Sequence, residues 1–202
     1  MGILEALLIL LGAGDVAPAE CQASRLAIVL TPTTALTPRE LRRVRDEVDR
    51  IWRPHGLEIV WRSEWFEASD VRQVAVSWVD RIETDGESEA HALGAVVFDV
   101  ATDRAGPILV SLPHLQRLIS SARVPGFVLD QRPAALRRMW LTRALGRILA
   151  HEVGHLVLRL HGHRRYGLMK AQFRTDEILD PSRQRFGLVD EDRNWSSAGC
   201  AG

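Results

Sequence analysis

The succession of apolar and polar positions divides the chain into elements. Leu26-Ala27-Ile28-Val29-Leu30 is an unbroken apolar run inside residues 25–31, which predicts a buried strand. Thr37-Pro38-Arg39-Glu40 then announces a helix. Thr37 suits the N-cap, Pro38 the first helical position, and Glu40 the acidic place of a capping box. Leu41, Val44, Val48 and Ile51 follow at helical spacing. Pro54-His55-Gly56 stops the helix, because Gly56 is free to take a positive φ. Residues 57–62 alternate as a half-buried strand does. Residues 74–79, 93–100 and 107–112 also read as strands, separated by polar or glycine-containing turns such as Asp85-Gly86. From Pro133 to about Leu160 the pattern is helical, over a stretch longer than most globular helices. The tail from Asp176 is polar, with short apolar patches. This order predicts an α+β domain with a mixed sheet, a backing helix and a long late helix.

Size and charge narrow the function. At 202 residues the chain has room for one domain with a proper core. Lys and Arg number 26, as do Asp and Glu. A neutral chain with no basic stripe argues against nucleic acid as a partner. The run Ala6 to Ala13 is too short to span a bilayer but suits the core of a signal peptide, with Ala17-Pro18-Ala19 behind it. Residues 1–22 are therefore expected to be a signal peptide or an N-terminal apolar segment, and 23–202 the working domain. Removal of such a peptide implies export, to the periplasm or the medium, with no lasting membrane insertion; a simple N-terminal helix implies a cytoplasmic protein. Cys21 and Cys200 stand at opposite ends of the chain. In an exported protein they can pair; otherwise they are unpaired thiols in the tails.

The chemistry concentrates in His151-Glu152-Val153-Gly154-His155. Residues four apart lie on one helix face, so both imidazoles can reach a single metal ion. Glu152, one position on, points beside the pair, where it can act as general base on a water at the metal without being a ligand. Leu145, Ile148 and Leu149 precede the motif, and Leu156, Val157 and Leu158 follow it. Two histidines and a carboxylate in so apolar a helix need partners. A zinc ion satisfies all three, whereas the bland alternative is two surface histidines and an incidental acid. Gly154 lets another segment approach the helix closely.

Residues 145–155 resemble the active-site helix of zincin metallopeptidases. His163 and Gly167-Leu168-Met169 are similar to the metzincin branch, and in particular to small bacterial proteins with a third His and a Gly-Leu-Met turn. The resemblance covers about 25 residues, from Leu145 to Met169. It implies a zincin-like fold, one catalytic Zn2+ and hydrolysis of a peptide or protein substrate. It also implies an edge strand lining the cleft, a role that would fall to residues 107–112. The chain departs from the pattern at Leu158, where metzincins usually carry the glycine that breaks the helix. The alternatives are a non-catalytic zinc protein on the same scaffold, or a zinc hydrolase of a non-peptide amide or ester. Tyr166 is placed either to steady an oxyanion or simply to pack.

Two histidines compete to be the third ligand. His161 has the usual metzincin spacing from His151, and His163 lies two residues further on. In a continuous helix His161 would sit roughly 120° round from His155, out of reach of the metal. Residues 156–160 contain no Gly or Pro, so the helix is expected to run on and end at Gly162 in the left-handed conformation. That register presents His163, with Met169 beneath the metal, and leaves His161 facing solvent or supporting the ligands. The expected set is therefore His151, His155 and His163, with Glu152 catalytic and His161 the alternative third ligand.

Overall fold

The structure is a computed structural model, and it describes residues 24–66, 71–82, 92–99, 104–121, 123–124, 127–128, 131–193 and 195. The signal-peptide segment, Cys21, Cys200 and the turn at Asp85-Gly86 lie outside the described residues. The chain forms a mixed sheet covered by helices, the α+β arrangement expected from the order of its elements. β1 (Ser24–Leu30) leads through α1 (Pro38–Trp52) to β2 (Leu57–Arg62). β3 (Arg72–Trp78), β4 (Gly94–Asp99) and β5 (Arg104–Val110) complete a five-stranded sheet ordered β2-β1-β3-β5-β4. Every neighbouring pair is parallel except β4 with β5. The parallel β1–β2 pair requires a crossover, and α1 provides it. Among the described residues no helix is long and apolar enough to cross a membrane.

Local chemistry explains α1. Thr37 accepts from the Glu40 amide, and the Glu40 carboxylate accepts from the Thr37 amide, closing the capping box at one end. At the other end Gly56 takes φ 79° after a single 3₁₀ turn at residues 53–55. Val44, Val48, Ile51 and Trp52 join one core with Leu26, Ile28 and Leu30 of β1.

Residues 107–112 do not form the edge strand expected of them. β5 is interior, between β3 and β4, so the edge strand on that side of the sheet is β4, with β2 at the far edge. Apolar alternation identifies strands but carries no information on their lateral order. Leu112 is not in a strand either, because it opens α2 (Leu112–Ser121). Ser111 Oγ accepts from the His114 amide at 3.4 Å, and Leu112, Leu115 and Ile119 are the buried face of α2. That spacing was the available signal for a helix.

The long helix α3 (Ala134–Leu158) packs on α1 and is buried along almost all of its C-terminal half. A Cβ at Gly146 would stand 2.6 Å from Glu47 Cβ, so the two helices meet where α3 lacks a side chain. Trp52 Nε1 donates to the Ala150 carbonyl at 3.0 Å. Arg147, with its side chain fully buried, ties α3 to the tail. It donates to Glu47 Oε1 and to the carbonyls of Glu177, Ile178 and Ser182, at 2.8–3.0 Å. Its guanidinium also lies 4.2 Å from the centre of the Phe186 ring. The segment from Asp176, which shows no strong period, thus folds as a short helix, α4 (Thr175–Leu179), and two 3₁₀ turns, with Arg147 holding the helix and the first turn and Arg164 bonding Asp192 in the second.

Candidate metal centre

His151, Glu152 and His155 lie in the buried half of α3, at 8%, 5% and 8% exposure. The helical repeat puts the two imidazoles side by side, with ring centres 4.8 Å apart. Each ring is then fixed by the backbone of a later segment. His151 Nδ1 donates to the Leu168 carbonyl at 2.6 Å, and His155 Nδ1 donates to the Leu160 carbonyl at 2.5 Å. A carbonyl oxygen can only accept, so both protons sit on Nδ1 in the neutral rings. The two Nε2 lone pairs are left facing each other, 3.1 Å apart.

The histidine that joins them is His163. Its ring centre is 5.3 Å from that of His151 and 5.0 Å from that of His155. One ligand atom from each of the three residues lies within 4.8 Å of the others. His161 goes elsewhere: its ring packs against Phe98 of β4, with centres 4.4 Å apart.

The reason His163 arrives differs from the one expected. The helix ends at Leu158, and Arg159 takes the left-handed conformation at φ 50° and ψ 42°. Gly162 is not left-handed; among the described glycines only Gly56 and Gly167 have positive φ. Leu160 then turns back so that its amide donates to the His155 carbonyl at 3.2 Å. The same turn brings the Leu160 carbonyl to the His155 ring. Arg72 of β3 donates to the Leu156 carbonyl at 3.3 Å, helping to satisfy the helix end. Helix propensity favoured continuation through residue 160, and tertiary contacts override it. The break falls one residue past Leu158, where the resemblance leads one to expect glycine.

The turn after His163 is equally determined. Gly167 has φ 75°, and a Cβ there would stand 2.7 Å from the Gly187 carbonyl oxygen. The Leu168 amide donates to that carbonyl at 2.9 Å, so Leu168's own carbonyl faces His151. Met169 is buried, and its sulfur would be 2.2 Å from a Cβ on Gly154. The segment that Gly154 admits is therefore the Met169 turn. Arg164, next to His163, donates to Asp192 Oδ1 at 2.7 Å, and its amide donates to the Met169 carbonyl at 2.7 Å. Tyr166 is 63% exposed, with Arg165 stacked on its ring, so it does not pack in the core.

No protein-family model matches the chain, and no curated protein does. The site stands on its own geometry.

Electrostatics favours a cation here. Burial lowers the His151 pKa to about 3, against the opposing bond to Leu168 and with help from His155 and His163. Burial also lowers that of His155. Both rings are thus neutral at neutral pH, and protons do not compete for their lone pairs. Two lone pairs facing each other at 3.1 Å repel unless something positive lies between them. In tetrahedral zinc coordination, ligand nitrogens stand about 3.3 Å apart. The helical pair meets that separation, while His163 fits more loosely, within the 4.8 Å spread of the three. Three imidazoles and no thiolate suit a divalent transition metal. Glu152 is outside the cluster, and burial alone pushes its carboxyl up to about 8. A nearby dication would pull that value back down.

Proposed function

We propose that this chain is a zinc-dependent metallopeptidase of the zincin type, with His151, His155 and His163 as ligands and Glu152 as general base. The observation that carries the reading is the pair of Nε2 lone pairs, 3.1 Å apart, on rings whose other nitrogens are occupied by Leu160 and Leu168. Such a pair is built to receive a metal. A buried acid one residue from the first ligand adds what hydrolysis needs. Two further features support the zincin reading: the antiparallel edge strand β4 beside α3, and the Met169 turn packed on Gly154.

Zinc, when bound, supplies a Lewis acid that lowers the pKa of a water towards about 7. Glu152 takes the proton from the attacking water and delivers it to the leaving amine. Burial pushes its carboxyl up, and a dication beside it would pull it back down, so that in the loaded site the group could both accept and release that proton. Leu160 and Leu168 hold the histidine rings in the tautomer that leaves Nε2 free. A peptide can add to the outer edge of β4 as a further strand, which presents an extended backbone to the site.

The test is a proteome-derived peptide library incubated with zinc-loaded protein, read by mass spectrometry. Cleavage by the natural sequence but not by Glu152→Gln is expected. Equal cleavage by both, or zinc binding with no cleavage of any peptide, would reduce the chain to a zinc-binding scaffold. Turnover of amides or esters alone would move it to the other hydrolase class.

A further inference from the structure

The edge strand begins on a glycine that lies directly over the acid of the motif. A Cβ at Gly94 would stand 2.6 Å from Glu152 Oε1, 2.9 Å from Glu152 Cγ and 2.8 Å from Ile148 Cγ2. All three separations are shorter than real Cβ contacts. The neighbours are not loose surface groups, since Glu152 is 5% and Ile148 7% exposed. The strand cannot easily retreat either. Gly94 pairs with Val110 of β5, and the Leu93 carbonyl accepts from the Ser111 amide at 3.0 Å. Gly94 does not have the positive φ that only glycine takes readily, so the position demands space and not backbone freedom. Strand and helix are both pinned, and a missing side chain sets the gap between them.

We propose that Gly94 is a positioning residue for Glu152: the strand, by lacking a side chain at its first residue, fixes where the carboxylate lies beside the histidine cluster. The inference rests on the reading of Glu152 as the group that moves the proton. A methyl group at position 94 would displace the Glu152 side chain first, because two of its three nearest atoms belong to Glu152 and none to a histidine. Metal binding and proton transfer should therefore separate. The histidines stay, and the carboxylate moves.

The experiment compares the full-length zinc-loaded protein with Gly94→Ala, Glu152→Ala and the double variant. Zinc content is expected to stay the same in Gly94→Ala. Thermal unfolding should show Gly94→Ala lowering Tm by several degrees, and by less than half as much in the Glu152→Ala background. Relief is partial because Ile148 remains in place. Loss of zinc in Gly94→Ala, or an equal Tm loss in both backgrounds, overturns the proposal. If Gly94→Ala does not fold, recovery of folding in the double variant upholds it, and failure of both rejects it. With a cleavable peptide, kcat should fall at least ~10²-fold with little change in KM. No further loss should occur when Gly94→Ala is added to Glu152→Gln. Should the natural sequence cleave nothing, the peptidase reading falls, and the Tm coupling alone decides whether Gly94 seats Glu152.

Discussion

At the scale of single residues, the site is made by hydrogen bonds that no side-chain motif encodes. The His151 and His155 rings are oriented by the carbonyls of Leu168 and Leu160, seventeen and five residues further along. The identity of the pair was legible in the sequence, since spacing on a helix is enough to bring two imidazoles together. The partners of their Nδ1 atoms were not, because every residue has a carbonyl. His163 is brought to the cluster while His161 packs on Phe98. Zinc affinity is therefore expected to fall by orders of magnitude in His163→Ala and only slightly in His161→Ala. Competition with a chromogenic chelator measures both, and the reverse ranking would make His161 the ligand. Glu152→Gln is expected to retain zinc and fold while losing at least ~10²-fold in hydrolysis. Loss of zinc as complete as in His151→Ala would mean that Glu152 ligates.

At the scale of elements, α3 joins the sheet, α1 and the tail, and its contacts explain both successes and failures of the sequence reading. The capping box of α1 was visible because Thr37, Pro38 and Glu40 act within one turn. The end of α3 was not, because Arg159 is held left-handed by surrounding structure and not by its own preference. The edge position of β4 was likewise hidden, since it depends on pairing between distant strands. Arg147 is the clearest case of a residue whose role needs the fold. Removing it would leave Glu47, among the described residues, with Arg183 alone as a charged partner and strip the carbonyls of Glu177, Ile178 and Ser182 of their donor. Arg147→Ala is expected to cost about 3 kcal/mol or more in urea unfolding. A loss below about 1 kcal/mol would mean that the tail is not held this way. Gly154→Ala should also destabilise, by about 1–3 kcal/mol, because the new methyl must displace the buried Met169 sulfur.

For the whole molecule, acid and metal act through different groups. Arg138 bonds both carboxylate oxygens of Glu40 at the start of α1, and this bond lowers the Glu40 pKa from 4.5 to about 2. A depressed carboxyl stabilises the fold fully above its unfolded value, and that stability is lost as pH falls from 4.5 towards about 2. The contribution is about 2 kcal/mol at neutral pH once the partial exposure of Arg138 is allowed for. Glu40→Gln should lower the urea midpoint at pH 7 and converge with the natural sequence near pH 2. A constant difference across that range would show that the ion pair is not the cause. A bound metal, by contrast, would join α3 to the turn that carries His163, and zinc binding should raise Tm in a concentration-dependent way. The decisive measurement is the zinc content of folded, full-length protein after exposure to zinc and desalting, read by elemental analysis. About one zinc per chain, lost in His151→Ala, is the expected result; a folded protein that retains no zinc would contradict it.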